Sequence, residues 1–199
     1  AEHHVAKVLE PRVLRVVQYL PGLPPGTPAE PRDVVLWDIP SASFSIAFDG
    51  SASSVPAGAR IDALSVDMAG NLVLSFDVTL MLPGAGVIDD EDLVSFSGGL
   101  YTLVFDGGAS GVPAQLDLDA AQQDGSNLLL SFDGSGNITG IDFDDEDVLV
   151  YDTISFTWSI FFDGSASDPA NWPAADLVAV PEPGLLASLA SGGLFLSLL

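Results

Sequence analysis

DDEDLVSFSGGLYTLVFDG, residues Asp89–Gly107, is an acidic loop followed by a strand, a short turn and a second strand that ends in Phe-Asp-Gly. The pattern returns as DDEDVLVYDTISFTWSIFFDG at Asp144–Gly164 and, in weaker form, as EPRDVVLWDIPSASFSIAFDG at Glu30–Gly50. The Phe-Asp-Gly endings begin at Phe48, Phe105 and Phe162, so both intervals are 57 residues. A fixed period of that size marks a repeat architecture in which each unit buries apolar surface against its neighbour.

Working outward, Ile61–Val66 and Asn71–Phe76 form a pair of strands around a turn at Met68-Ala69-Gly70 and precede the acidic loop. Leu116–Ala120 and Asn127–Phe132 take the same place in the next unit, around Asp124-Gly125. NLVLSFD at Asn71–Asp77 and NLLLSFD at Asn127–Asp133 are nearly identical, which fixes the duplication independently of the Phe-Asp-Gly corners. The expected fold is therefore all-β, with tandem four-stranded antiparallel units of about 57 residues. Strands apolar on both faces predict sheets covered on both sides, as in propeller blades. A pseudo-threefold trefoil-like or prism-like body is the alternative, because three blades are too few to close a propeller. The expected divisions are a degenerate first repeat with a Pro-rich loop over 1–50, a second repeat over 51–107 and a third over 108–164. A partial fourth covers 165–180, and an apolar tail, read as helical, covers 181–199.

The chain of 199 residues is 48% apolar yet carries a formal charge of −23. No basic residue follows Arg60, which leaves the acids beyond it unopposed. Nucleic acid is excluded as a partner, since phosphate binding needs clustered Lys and Arg. Anionic lipid headgroups are disfavoured on the same ground. Absence of cysteine removes thiol chemistry, disulfides and Cys-based metal sites. The two histidines, His3 and His4, sit side by side near the N-terminus, so no Ser-His-Asp set can be drawn from the body. The chain opens on Ala1 without a signal peptide, as expected of a processed or partial sequence.

Pro181–Leu199 changes character. VPEPG at Val180–Gly184 is followed by LLASLASGGLFLSLL, which has no charge and is shorter than the roughly 20 residues of a spanning helix. Pro181, Glu182 and Pro183 before a terminal apolar run resemble the PEP-CTERM sorting signal of Gram-negative bacteria. That resemblance implies an exosortase as the reader of the motif and export to the cell envelope or the extracellular polysaccharide. It implies transient anchoring in the membrane by the tail and no particular activity. The basic cluster that closes the family's signal does not occur before Leu199.

The acidic loops offer hard oxygen ligands: Asp89, Asp90, Glu91 and Asp92 in one, and Asp142, Asp144, Asp145, Glu146 and Asp147 in its equivalent. Calcium takes 6–8 such oxygens in irregular geometry and is the cation that fits, although the spacing is not that of an EF-hand. A solvated edge that blocks strand-to-strand aggregation is the other reading. Asp49, Gly50, Asp106, Gly107, Asp163 and Gly164 recur at strand ends as a turn device, with Asp capping amides and Gly supplying positive φ. A structural or binding protein without catalysis is the expectation. The alternative is a carbohydrate-binding or glycoside-hydrolysing protein, for which paired carboxylates and a stacking strip drawn from Trp37, Trp158 and Trp172 would be needed.

Overall fold

A computed structural model describes residues 12–16, 29–38 and 41–167. Over these the protein is all-β and consists of small antiparallel sheets. The first sheet has the order β1 (Arg12–Val16), β2 (Val34–Asp38), β3 (Ser43–Phe48). The second has the order β4 (Ile61–Val66), β5 (Leu72–Phe76), β8 (Leu93–Ser97), β9 (Leu100–Phe105). Between β5 and β8 the chain makes a separate hairpin, β6 (Leu80–Leu82) with β7 (Gly86–Ile88). The third sheet repeats this plan with β10 (Leu118–Asp124), β11 (Asn127–Phe132), β14 (Val148–Asp152) and β15 (Thr157–Phe162). Its inserted hairpin pairs β12 (Gly136–Ile138) with β13 (Ile141–Phe143). A single helical turn, α1 (Gly164–Ser167), follows the last strand.

Each main unit is thus four strands plus a small hairpin, not four strands alone. The hairpin strands are three residues long, too short for period-2 alternation to stand out in the sequence. The first strand of the third unit lies at Leu118–Asp124, later than the expected Leu116–Ala120, because its second half is polar: Gln122, Gln123 and Asp124 continue the pairing with β11.

Alternate residues of the middle sheet serve two different interiors. Leu74, Phe76, Val94 and Tyr101 face the first sheet, together with Val34 and Phe48 from it. Ala63, Val73, Leu93 and Phe105 face the third sheet and pack with Leu118, Leu130, Leu149 and Trp158. Packing is serial, and no buried cluster among the described residues joins the first sheet to the third. That is not the shared core a threefold body requires. Nor do the described residues close into a barrel or propeller. The C-terminal tail read as helical lies outside the described residues.

The broadest contact between sheets is first strand to first strand, β4 against β10. Ala63 and Ala121 in the buried cluster there are small enough to permit it. Aromatic triads recur at the junctions. Phe48 of the first sheet meets Phe96 at 4.9 Å and Tyr101 at 6.5 Å between ring centroids. One unit later Phe105 meets Tyr151 at 5.2 Å and Trp158 at 5.8 Å. In both triads the edge-on geometry is the one aromatic quadrupoles favour. Each junction also carries a polar lock from the same ring. Tyr101 Oη donates to Ser53 O at 3.0 Å, and Trp158 Nε1 donates to Ser110 O at 2.9 Å.

If the junctions hold the body together, Phe105→Ala costs about 3–5 kcal/mol, the usual range for emptying a buried aromatic site. Ile154→Ala, at a 75% exposed position, stays within about 0.5 kcal/mol. Urea denaturation of both variants checks this, and equal effects would remove the serial-junction account.

Candidate functional site

The residues singled out from sequence gather at the corners of the units, where an acidic loop meets a Phe-Asp-Gly ending. The last acid of each loop is buried and bridges that corner. Asp92 Oδ2 accepts from Asp89 N at 2.9 Å, and its Oδ1 accepts from Gly107 N at 2.9 Å. Asp147 does the same with Asp144 N and Gly164 N, both at 2.9 Å. Asp33 does so in the first unit with Glu30 N at 2.7 Å and Gly50 N at 2.8 Å. One carboxylate thereby ties the entry of the next-to-last strand of its sheet to the exit of the last, and satisfies two amides that would otherwise be costly to bury. Burial pushes the Asp92 carboxyl upward, with the amides of Asp89 and Gly107 pulling the other way.

The second acid of the corner caps the next turn. Asp49 Oδ1 accepts from Ala52 N at 2.9 Å, Asp106 Oδ1 from Ala109 N at 2.8 Å, and Asp163 Oδ1 from Ala166 N at 2.7 Å. The amide of Ala52, then the hydroxyl of Ser51, hold Asp49 below the usual carboxylate range. The glycines differ from the sequence expectation. Gly50, Gly107 and Gly164 do not take the positive φ found at Gly84 or Gly125. They are required because a Cβ would lie 2.3 Å from Arg32 O, 2.5 Å from Glu91 O and 2.6 Å from Glu146 O. Close approach of two backbones, not turn handedness, selects glycine there.

The candidate metal ligands separate into three groups. Asp92 and Asp147 have both oxygens engaged by backbone amides. Asp142 is on β13 and accepts from Asn137 Nδ2 at 2.6 Å across the hairpin, apart from the loop it was grouped with. Asp89, Asp90, Glu91, Asp144, Asp145 and Glu146 remain in the loops. Glu91 is buried, and burial first, then its contact with Asp90, raises its carboxyl to about 7. Glu146 is raised by its hydrogen bond with Asp145. In the first unit the same place is taken by Arg32, whose Nη1 donates to Val55 O and Nε to Glu30 Oε2, both at 2.6 Å. Among the described residues, no three His, Asp or Glu side chains converge as a preformed metal cage.

Of the aromatic residues weighed for sugar stacking, Trp158 is sealed in the second junction. Trp37 is partly buried against Phe44 at 4.4 Å. Trp172, like the sorting motif Pro181–Pro183 and the partial fourth repeat, lies outside the described residues.

One group of acids escaped notice in the sequence. Asp117 enters β10 at the junction, and its Oδ1 is buried without a hydrogen-bond partner. Burial first, then the charges of Asp62, Asp90, Asp133 and Asp77, push its carboxyl to about 7. One period earlier the same position is Arg60. In both units the backbone closes the same loop: Arg60 N donates to Asp77 Oδ1 at 2.7 Å, and Asp117 N donates to Asp133 Oδ1 at 3.0 Å. The second unit therefore has a cation beside its aspartate, and the third has a like charge. Aligning the copies by their period would have exposed the substitution.

No protein-family model and no curated protein matches this chain.

A carboxyl raised on folding favours the protonated native state. Its contribution is fully present below the unfolded value and is lost as pH climbs through the folded one. Asp117 and Glu91 thus make the protein lose stability as pH rises from about 4 to about 7. Asp117→Asn is expected to flatten that decline and to raise stability above pH 7. Melting temperatures across that range check it, and an unchanged slope in the variant would show that Asp117 is not the source.

Proposed function

We propose that the chain is an exported structural or binding module of the cell envelope or extracellular matrix, without catalysis. Its blade-like sheets stack in series, and a C-terminal sorting tail delivers it. What carries the reading is the use made of the recurrent polar residues. Asp33, Asp92 and Asp147 clamp the corners, and Asp49, Asp106 and Asp163 cap the turns after them. Residues repeated for holding the backbone are accounted for without a substrate, and a body assembled from such corners suits a spacer or adhesive surface.

Delivery rests on Pro181, Glu182 and Pro183 and the uncharged run behind them. In this reading an exosortase reads the motif while the apolar tail holds the chain in the membrane, and extracellular polysaccharide is the matrix in which the body ends up. Glu182→Ala, expressed in a Gram-negative host that has an exosortase, is expected to accumulate in the inner-membrane fraction while the wild type reaches the outer envelope or medium. Identical distributions would end the sorting proposal.

Calcium is the cation for the loop acids. Two carboxyls pressed together, as Asp90 with Glu91 and Asp145 with Glu146, repel once both ionise, and a divalent ion outside the corner relieves them. Binding to the native state alone stabilises it by about 2.7 kcal/mol at a hundredfold excess over Kd. The full chain is therefore expected to melt several degrees higher in millimolar calcium than in chelator. No shift, with magnesium as the comparison, would remove calcium and leave the corners purely structural.

A further inference from the structure

The third sheet presents the same face that the first and second sheets bury, yet there that face is only partly covered. Phe48, paired with Val34, and Phe105, paired with Leu93, are sealed by the following unit. Phe162, paired with Val148 at the equivalent place, is partly exposed, as is Leu129 where Val73 is buried.

Part of the seal on each closed face comes from side chains early in the following unit, ahead of the rings of Phe96 and Tyr101 or of Tyr151 and Trp158. At the first junction Val55, Ile61 and Leu64 pack against it; at the second, Val112, Leu118 and Ala121. The members of each pair are 57 residues apart. One further step of 57 falls on Pro169, Ala175 and Val178, all apolar, in the 32 residues that follow the last described position, Ser167. The chain leaves the third sheet as it left the others: Asp163 caps Ala166 as Asp106 caps Ala109 and Asp49 caps Ala52. Asp176 keeps register with Asp62 and Asp119 as well. At the second junction the first strands, β4 and β10, share the broadest contact between the sheets, so a first strand can cover that part of the face.

We propose that residues 168–180 of this chain are the occupant of the partly covered face of the third sheet, with Ala175 and Val178 seated over Phe162 and Val148. The folded body then ends at about Val180, and Pro181 follows it directly. This inference does not depend on what the tail beyond Pro181 does.

Because the chain has no cysteine, a single nitroxide label can be placed at Ala179→Cys, one residue beyond the seated Val178 on the alternating strand. The full-length labelled chain is expected to show broadened amide signals for Val148 and Phe162, while those of Val34 and Phe48 stay sharp. In a mixture of nitroxide-bearing chains with isotope-labelled chains lacking the nitroxide, all signals are expected to stay sharp. Adding Val178→Asp to the labelled chain should abolish the broadening, because a charge cannot seat in the apolar face. No broadening in the labelled chain would overturn the proposal. Broadening across chains in the mixture would overturn it too, since it would assign the face to a second copy.

Discussion

Each sheet hands one phenylalanine to the next. Phe48 and Phe105 stand at the end of the last strand of their own units, yet both are counted in the interior of the following junction, between rings that the next unit supplies. No unit can bury that ring alone. Stability is then a property of pairs of neighbours, as expected of stacked repeats. The strict spacing of Phe-Asp-Gly follows from this, because the ring must reach the same seat each time. Hairpin loops absorb the variation: the turn between the last two strands is longer in the third unit than in the second, and the corner is unmoved.

The corner is kept in place by charge, used locally. A carboxylate reaching two amides is a stronger acceptor than a neutral side chain, and its short stem fixes distances. Asp33, Asp92 and Asp147 therefore bring the backbone of the following Phe-Asp-Gly so near the loop that only glycine fits. Buried Asp, capping Asp, Gly and inward Phe form one device. Replacing any of them would disturb the other three.

Much of this was legible in the amino acids. The period, the strand pairs and the two-sided sheets follow from spacing and alternation, and Val73 and Leu74 do go to opposite interiors. What escaped has physical reasons. Three-residue strands such as Leu80–Leu82 are set by pairing with a neighbour, and no period develops over that length. Gln122 and Gln123 are strand residues that read as turn because sheet context overrides their polarity. Glycine at Phe-Asp-Gly signals special backbone, but the residue type alone does not separate positive φ from a close neighbour. The acids at the second junction are scattered from Asp62 to Asp133, and only the fold brings them near Asp117.

The acidity of the chain then takes a different meaning from that of a solubilising coat. Several of the acids do the work of backbone partners. Asp67 accepts from the amides of Ala69 and Asn71 at a turn, and Asp152 from that of Ile154. Aspartate is suited to such posts because its oxygens reach amides two to four residues away, which lysine or arginine cannot offer at all. A fold built from many tight turns with acceptor-only side chains becomes acidic as a by-product. The cost appears where sheets stack, since acids at home in separate turns are driven together. Arg60 beside Asp77 answers that crowding in the second unit. With aspartate at the same position, the third unit leaves it unanswered, and below about pH 7 a proton at Asp117 takes the place of the missing cation.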